Sequence, residues 1–298
     1  MPRPEVSVVI PAYNAEAYIV PAVLSCIKQN APGISHEVVV VNDGSTDATA
    51  AVLENLQKQT SPGILRVVEQ DNQGEAAALN TGVDTATGNH IVFCDSDDLL
   101  GPHAIDALNT ALYTHHVATG DYAGFSLTPD GTPTILYRTD KRQFTRVTGD
   151  PKIIPLLHGN VVGAPRAVRK RDYEFVGGSN TKMRFADDFD MILKILCPQG
   201  GPILPWTVTA NGDILYWYRH HPTQETAKTD HREIPLQITL FEQALTNALD
   251  RLGISQEARF IGRHAVGYLW AEHVSTSKTA QSPVRDSSTL HLASAVLS

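Results

Sequence analysis

Residues 90–98, HIVFCDSDD, set carboxylates directly against an apolar run. Ile91 to Cys94 are four consecutive apolar residues, the pattern of a strand buried on both faces, as in a parallel sheet. Asp95, Asp97 and Asp98 then fall at the strand's carboxyl end, the edge where open α/β sheets bind ligands. Three acids within four residues repel one another unless a cation lies among them. Mg²⁺ or Mn²⁺, hard ions that take oxygen ligands and partner diphosphates, would serve. An acidic turn capping a helix that starts near Pro102 accounts for the same residues without a ligand.

Three further strand ends carry polar clusters. VSVVI at 6–10 is β-rich and stopped by Pro11, leading into Ala12-Tyr13-Asn14. EVVVV at 37–41 ends in Asn42-Asp43-Gly44-Ser45, and Leu65 to Glu69 leads to Asn72-Gln73-Gly74. Between them, Ala15–Gln29, a segment capped at Thr46-Asp47 and running to about Gln59, and Gly74–Thr85 have helical character. Strand and helix alternate four times in about 115 residues, which predicts a right-handed, doubly wound, mostly parallel α/β sheet. All four polar clusters then share one edge. There the Asp43 carboxylate can accept the ring N–H of uracil, thymine or guanine but not of cytosine, which has none. Tyr13 can lie on a base face. Asp95, beside Ser96, can meet ribose hydroxyls, and Asp97 a metal on a diphosphate. Plainer readings run alongside: Pro11 ends a strand, Gly44 and Gly74 supply turn geometry, Asn80 is a polar helix residue, and Asp98 caps the next helix.

Composition bounds the alternatives. The 298 residues, 42% hydrophobic and 19% charged, suit a globular protein able to bury a large core. Net charge −8 disfavours general nucleic-acid or anionic-surface binding. Cys26, Cys94 and Cys197 have neither metal nor disulfide spacing, which fits a reducing compartment. There is no signal-like start and no apolar run near the ~20 residues that span a bilayer, so a cytoplasmic chain is expected.

SVVIPAYNAEAYI, VVVVNDGSTDAT, DNQGEAAALNTG and IVFCDSDDLL together resemble, in order and spacing, the four signature blocks of the inverting family 2 glycosyltransferases. That resemblance covers roughly residues 5–100. It implies the A-type nucleotide-sugar-binding fold, a nucleoside-diphosphate sugar donor (often UDP-linked) and Mn²⁺ or Mg²⁺. It also implies a donor set of Pro11, Tyr13, Asp43, Asn72, Gly74, Asn80, Asp95 and Ser96, with Asp97 on the metal. One departure stands in the third block, where Leu79 replaces the usual Arg; a Lys or Arg from the second half would have to supply that contact.

The second half is organised around ADDFDMILKILC, residues 186–197. Phe189, Ile192, Leu193 and Leu196 share one helical face, so Asp187 and Asp188 sit in the first turn, where the helix dipole alone would favour them. The resemblance implies more. The family's E-D-x-D-like block falls here, which makes Asp188 the base, while Asp187 stands where Glu is usual and is the runner-up. Arg166, Arg169, Lys170 and Arg171 form either a solvated basic face or contacts to a diphosphate or anionic acceptor. Arg219-His220-His221 resembles an R-x-H element near the diphosphate, which would make His221 a further metal ligand or a diphosphate contact; paired histidines on a loop are also ordinary surface residues. Strands are expected at 120–127, 134–138 and 213–218, and a loop over the donor at 140–152. Two amphipathic helices are expected within 231–277, the first carrying Ile238, Phe241, Leu245 and Leu249, with a polar tail from 279. These readings divide the chain at about residue 225, with a catalytic unit (halves 1–100 and 101–225) and a C-terminal helical region, 226–298. That region could pack on the catalytic unit, bind a second copy or partner, or touch a membrane surface. The expected activity is metal-dependent single-displacement transfer of a hexosyl or N-acetylhexosaminyl group to an acceptor hydroxyl. A silent sugar-nucleotide-binding scaffold and a sugar nucleotidyltransferase are the alternatives. The second lacks its Gly-rich basic loop here, since Pro11-Ala12-Tyr13-Asn14 stands in that place.

Overall fold

The computed structural model describes residues 3–141, 163–183, 186–209, 212–222, 224 and 234–253. The first half alternates as its apolar runs dictate: β1 (Val6–Ala12), α1 (Ile19–Ile27), β2 (His36–Asp43), α2 (Thr49–Gln59), β3 (Leu65–Gln70), α3 (Glu75–Thr85), β4 (His90–Phe93), β5 (Leu99–Leu100) and α4 (Ala104–Leu112). The second half adds β6 (Val117–Gly120), β7 (Tyr122–Leu127), β8 (Pro133–Arg138), β9 (Arg166–Arg169), α5 (Lys170–Phe175), α6 (Asp187–Leu196), β10 (Trp206–Thr209), β11 (Tyr216–Arg219) and α7 (Ile234–Arg251).

Seven strands form the main sheet in the order β10-β6-β9-β4-β1-β2-β3, and β5-β11-β7-β8 form a second one. β3, β2, β1 and β4 are mutually parallel, so their carboxyl ends share an edge. β9 runs antiparallel between β4 and β6. Strand alternation sorts the core into two layers. Val9, Val39, Ile91 and Phe93 pack toward α3, α6 and α7, whereas Val8, Ile10, Val38, Val40 and Val92 pack toward α1, α2 and α4. Gly82 lets α3 close on β1, since a Cβ there would lie 2.4 Å from Val9 Cγ1.

Several expectations need correction. β1 does not stop at Pro11 but runs to Ala12. Val9 O still accepts from Cys94 N, but the ladder to β4 ends at that level, so Pro11's missing N–H faces the side where no strand continues. The expected strand at 120–127 is two strands in different sheets, split at Asp121. The expected strand at 213–218 begins at Tyr216, and β10 was not foreseen. The basic run does not form one solvated face: Arg166 to Val168 lie buried inside the sheet, with no period-2 polarity to betray a strand covered on both faces. Cys26 and Cys94, far apart in sequence, lie in the same core layer as buried free thiols.

α7 packs on α6 in the same core. Ala244, Leu245, Ala248 and Leu249 are fully buried, and the Phe189 and Phe241 rings lie 5.2 Å apart. The loop expected over the donor, apart from residues 140 and 141, lies outside the described residues, as do the second C-terminal helix and the tail.

Candidate functional site

The first two strand ends are sewn together by their own side chains. Asn14 takes a left-handed φ of 50°, and its N–H donates to Ser45 Oγ (2.9 Å) while its Oδ1 accepts from Thr46 N (2.8 Å). Glu16 N–H donates to Asp47 Oδ2 (3.1 Å), and Ala48 N–H donates back to Glu16 Oε2 (2.8 Å). Pro11 is buried beneath this seam and Tyr13 projects from it, 51% exposed. The β2 and β3 ends are joined by Asp43. Its buried carboxylate accepts from Gln70 Nε2 (2.7 Å), Gln73 N (2.9 Å) and Gly74 N (2.8 Å). One Oδ2 lone pair is left for a ligand. Gly74 (φ 88°) and Gly44 (φ 68°) are in the region that favours glycine, and a Cβ on Gly44 would lie 2.7 Å from Asn72 N. Both glycines thus meet turn requirements, and Asn72 is exposed at the rim.

At the end of β4 the acids have separate partners. Asp97 Oδ2 lies 2.9 Å from His221 Nε2, and Asp97 O accepts from Arg219 Nε at 2.7 Å. The Tyr18 and His221 rings lie 4.2 Å apart, so His221 is wedged against α1's leading turn. Asp98 does not cap α4: it is buried, and its Oδ1 accepts from Arg219 N at 2.7 Å, tying β11 to the acid turn. Burial, then the charges of Asp95 and Asp97, push the Asp98 carboxyl well up, and its Oδ2 has no hydrogen-bond partner among the described residues. The Asp95 N–H donates to the buried Tyr216 hydroxyl (3.1 Å). Burial raises the Asp95 carboxyl, Arg166 opposes that shift, and Asp97 adds to it. Ser96 is half-buried between the two acids.

The second half delivers two further groups to this edge. Arg166 leaves β9 over the Phe93 ring (5.8 Å). Its guanidinium reaches Asp188 Oδ2 at 3.4 Å and Asp95 Oδ1 at 4.0 Å. Burial works against that cation, but Asp188 and Asp95 hold it protonated. Asp187 and Asp188 open α6, as expected, after Ala186 at φ 59°. Asp188 Oδ1 accepts from Phe189 N at 2.7 Å. Asp187 differs: its Oδ2 is buried without a hydrogen-bond partner among the described residues, and burial, then Asp188's charge, push it up to about 7.

The predicted residues therefore fall into groups. Asp97 meets His221, and Asp95 meets Asp188 through Arg166. Asp43, Asn72 and Gly74 stand at the neighbouring strand ends. Asn80 is set apart: its Oδ1 accepts from the Tyr173 hydroxyl (2.7 Å) and Ser179 N (2.9 Å), and its Nδ2 donates to Ser179 O (3.0 Å). It latches α3 to the segment after α5, a role that α3's sequence does not signal. Tyr216 and Tyr18 were not singled out, and Arg166 was named only as one of four cations that either form a solvated face or meet a diphosphate or anionic acceptor; its place between Asp95 and Asp188 was not foreseen. Leu79 itself is buried in the core. A groove of about 640 Å³ lies at the opposite edge, lined in part by Arg3, His36, Glu37 and Arg66. Glu37 there is taken up by Ser7 and Thr87, so the acid edge remains the place where chemistry converges.

The site fits a divalent ion in one respect. A carboxylate oxygen and an imidazole nitrogen face each other at hydrogen-bond distance, the donor types Mn²⁺ or Mg²⁺ accepts. Among the described residues no group of three or more His, Cys, Asp or Glu is placed to hold a metal. Such an ion would need substrate oxygens or water to complete its shell.

This architecture is the A-type glycosyltransferase fold. The S. aureus TarS 1–349 structure in complex with UDP-GlcNAc matches it at TM-score 0.63 and 19% identity, over 92% of this chain and 74% of that one. The mannosyltransferase PcManGT of Pyrobaculum calidifontis, in complex with GDP-Man and Mn²⁺, matches at TM-score 0.56 and 23% identity, over 94% and 77%. The family described as glycosyl transferase family 2 matches residues 7–171, and the chain belongs to it. An uncharacterized glycosyltransferase of Haemophilus influenzae is 35% identical over 164 residues, 54% of this chain and 60% of that protein. The chondroitin synthase of Pasteurella multocida is 33% identical over 193 residues, 64% of this chain and 19% of that protein. The chain thus spans about three fifths of the first relative and a fifth of the second. Among the described residues no helix is long and apolar enough to cross a membrane.

Proposed function

We propose that the chain is an inverting, metal-dependent glycosyltransferase that moves a sugar from a nucleoside-diphosphate donor, UDP-linked in the first instance, to an acceptor hydroxyl. The observation that carries this is the convergence of Asp97 with His221 and of Asp95 with Asp188 at one sheet edge. Asp97 and His221 would hold the ion, which when bound offsets negative charge on the departing diphosphate. Asp95 and Ser96 meet the ribose, and Tyr13 lies on the base. Asp188 takes the acceptor proton as the acceptor oxygen attacks the anomeric carbon, so no sugar–enzyme intermediate forms. The Asp188 side chain, 35% exposed, supports this role. Holding donor and acceptor in line supplies much of the remaining rate.

Asp43 disfavours cytosine, because its remaining acceptor site needs a ring N–H. Uracil, in the ligands named for TarS, and guanine, in that of PcManGT, both carry one. A second reading makes Asp187 the base, favoured by a carboxyl pushed up to about 7, near a working pH. The test is release of nucleoside diphosphate from a panel of sugar nucleotides, with and without Mn²⁺ and with saccharide acceptors. Metal-stimulated release from at least one donor is expected. Binding of a sugar nucleotide with no release under any of these conditions would instead establish a silent binding subunit.

A further inference from the structure

We propose that Arg166 is a positioning residue that couples the two sides of the cleft, one guanidinium setting the acceptor-side Asp188 against the donor-side Asp95. The proposal rests on the glycosyl-transfer reading above. Arg166 enters the cleft from a strand wedged antiparallel between β4 and β6, in register with Phe93. It is 7% exposed. A buried cation persists only when paired. Its two partners come from opposite halves, Asp95 at the end of β4 and Asp188 at the start of α6. The separations of 3.4 and 4.0 Å exceed the ~2.7–2.9 Å of a tight charge-assisted bond, so the guanidinium is shared rather than committed to one acid. Both carboxylates keep about a third of their side-chain surface open, 33% and 35%, and so remain reachable by substrate.

The surroundings leave this role to no other described cation. Leu79 is buried in the core. Arg219 is committed to the acid turn through Asp97 O and Asp98. Meanwhile Asp187, and Glu75 from the first turn of α3, act on Arg166 along with the two bridged acids. Without the guanidinium Asp95 and Asp188 lose the cation between them, and nothing draws the first turn of α6 towards the donor side. The fork of an arginine can span two carboxylates, whereas a lysine ammonium is a point charge.

The experiment measures steady-state diphosphate release and calorimetric UDP affinity for the full chain as wild type, R166Q and R166K. Misplacing a catalytic group by about 1 Å costs roughly 10²-fold. R166Q is expected to lose about that factor in kcat while UDP affinity stays within a few-fold, and R166K to recover part of the loss. Where R166Q does not fold, R166K carries the test, with reduced kcat and unchanged UDP affinity expected. Undiminished kcat in R166Q (or in R166K, where it stands alone), or UDP affinity lost in step with kcat, overturns the inference. A wild type that releases no diphosphate from any donor overturns the functional reading itself, and that outcome is separate from an active wild type matched by its variants.

Discussion

The two halves of the cleft are built in different ways. On the donor side, four polar clusters follow four mutually parallel strands of one sheet, and backbone geometry alone brings them to one edge. The first three are held by stitching between neighbouring strand ends, such as Asn14 to Ser45 and Asp43 to Gly74, and the fourth by Tyr216, Arg219 and His221 from the second half. On the acceptor side each group arrives singly, Arg166 from a strand and Asp188 from a helix, while His221 comes from the loop after β11 to the donor-side Asp97. Their positions depend on long-range contacts with the donor side. Damage to a donor-side group is therefore expected to act on binding, and damage to an acceptor-side group on turnover.

The largest effect is expected on the acceptor side. Asp188→Asn keeps the size of the side chain and an oxygen for Phe189 N, so the fold survives. It cannot take a proton, and turnover falls by roughly 10²–10⁴-fold while donor affinity holds. Asp187→Asn, from the same helical turn, is the comparison. If that variant is dead and Asp188→Asn is active, the base is Asp187. If both turn over like wild type, α6 only caps its own end and the contrast between the halves fails.

On the donor side, Asp97→Ala removes the carboxylate that faces His221. Sugar-nucleotide binding should lose its dependence on Mn²⁺, read by calorimetry with and without chelator. Unchanged metal dependence would falsify the placement of the ion. Base choice follows with a smaller effect. One charged hydrogen bond is worth on the order of 1.5–3 kcal/mol, so CDP should bind at least tenfold more weakly than UDP. Comparing nucleotides is cleaner here than Asp43→Ala, which would also orphan the N–H groups of Gln73 and Gly74. Equal affinity for CDP and UDP removes Asp43 from the base pocket.

The same contrast explains what could be read in advance. β1 to β4 and the helices between them were legible because apolar runs of four or five residues alternate with helical spacing, and because the acids follow those runs directly; the two-residue β5 was not. Asp95 and Asp97 land at the edge for that reason alone. Asp98 was misjudged because its partner, Arg219 N, lies 121 residues away. Asn80 was misjudged likewise, since Tyr173 and Ser179 claim its amide from beyond β9. Arg166 hid inside a basic run that resembles a surface, because a strand buried on both faces leaves no alternation to notice. Local patterns carried the donor side, and tertiary partners decided the acceptor side.

The smallest effect is on stability, and it asks whether the acceptor side is held under electrostatic load. Asp187 is pushed up from 3.8 to about 7 by burial, then by Asp188's charge, with Arg166 opposing. Its folded form therefore keeps a proton that the unfolded chain has released. The stability tied to that proton is fully present below about pH 4 and is lost as pH rises through about 7. Asp187→Asn cannot ionise, so it escapes the loss. At pH 8 the variant should be more stable than wild type by on the order of 1–3 kcal/mol, partial solvent access keeping the figure modest. The advantage should fade towards pH 4, where both chains carry a neutral side chain at 187. Thermal melts between pH 4 and 8.5 read this directly. A constant difference across that range would mean that Asp187 is no more loaded than the donor-side acids, and the two halves would then differ in assembly but not in strain.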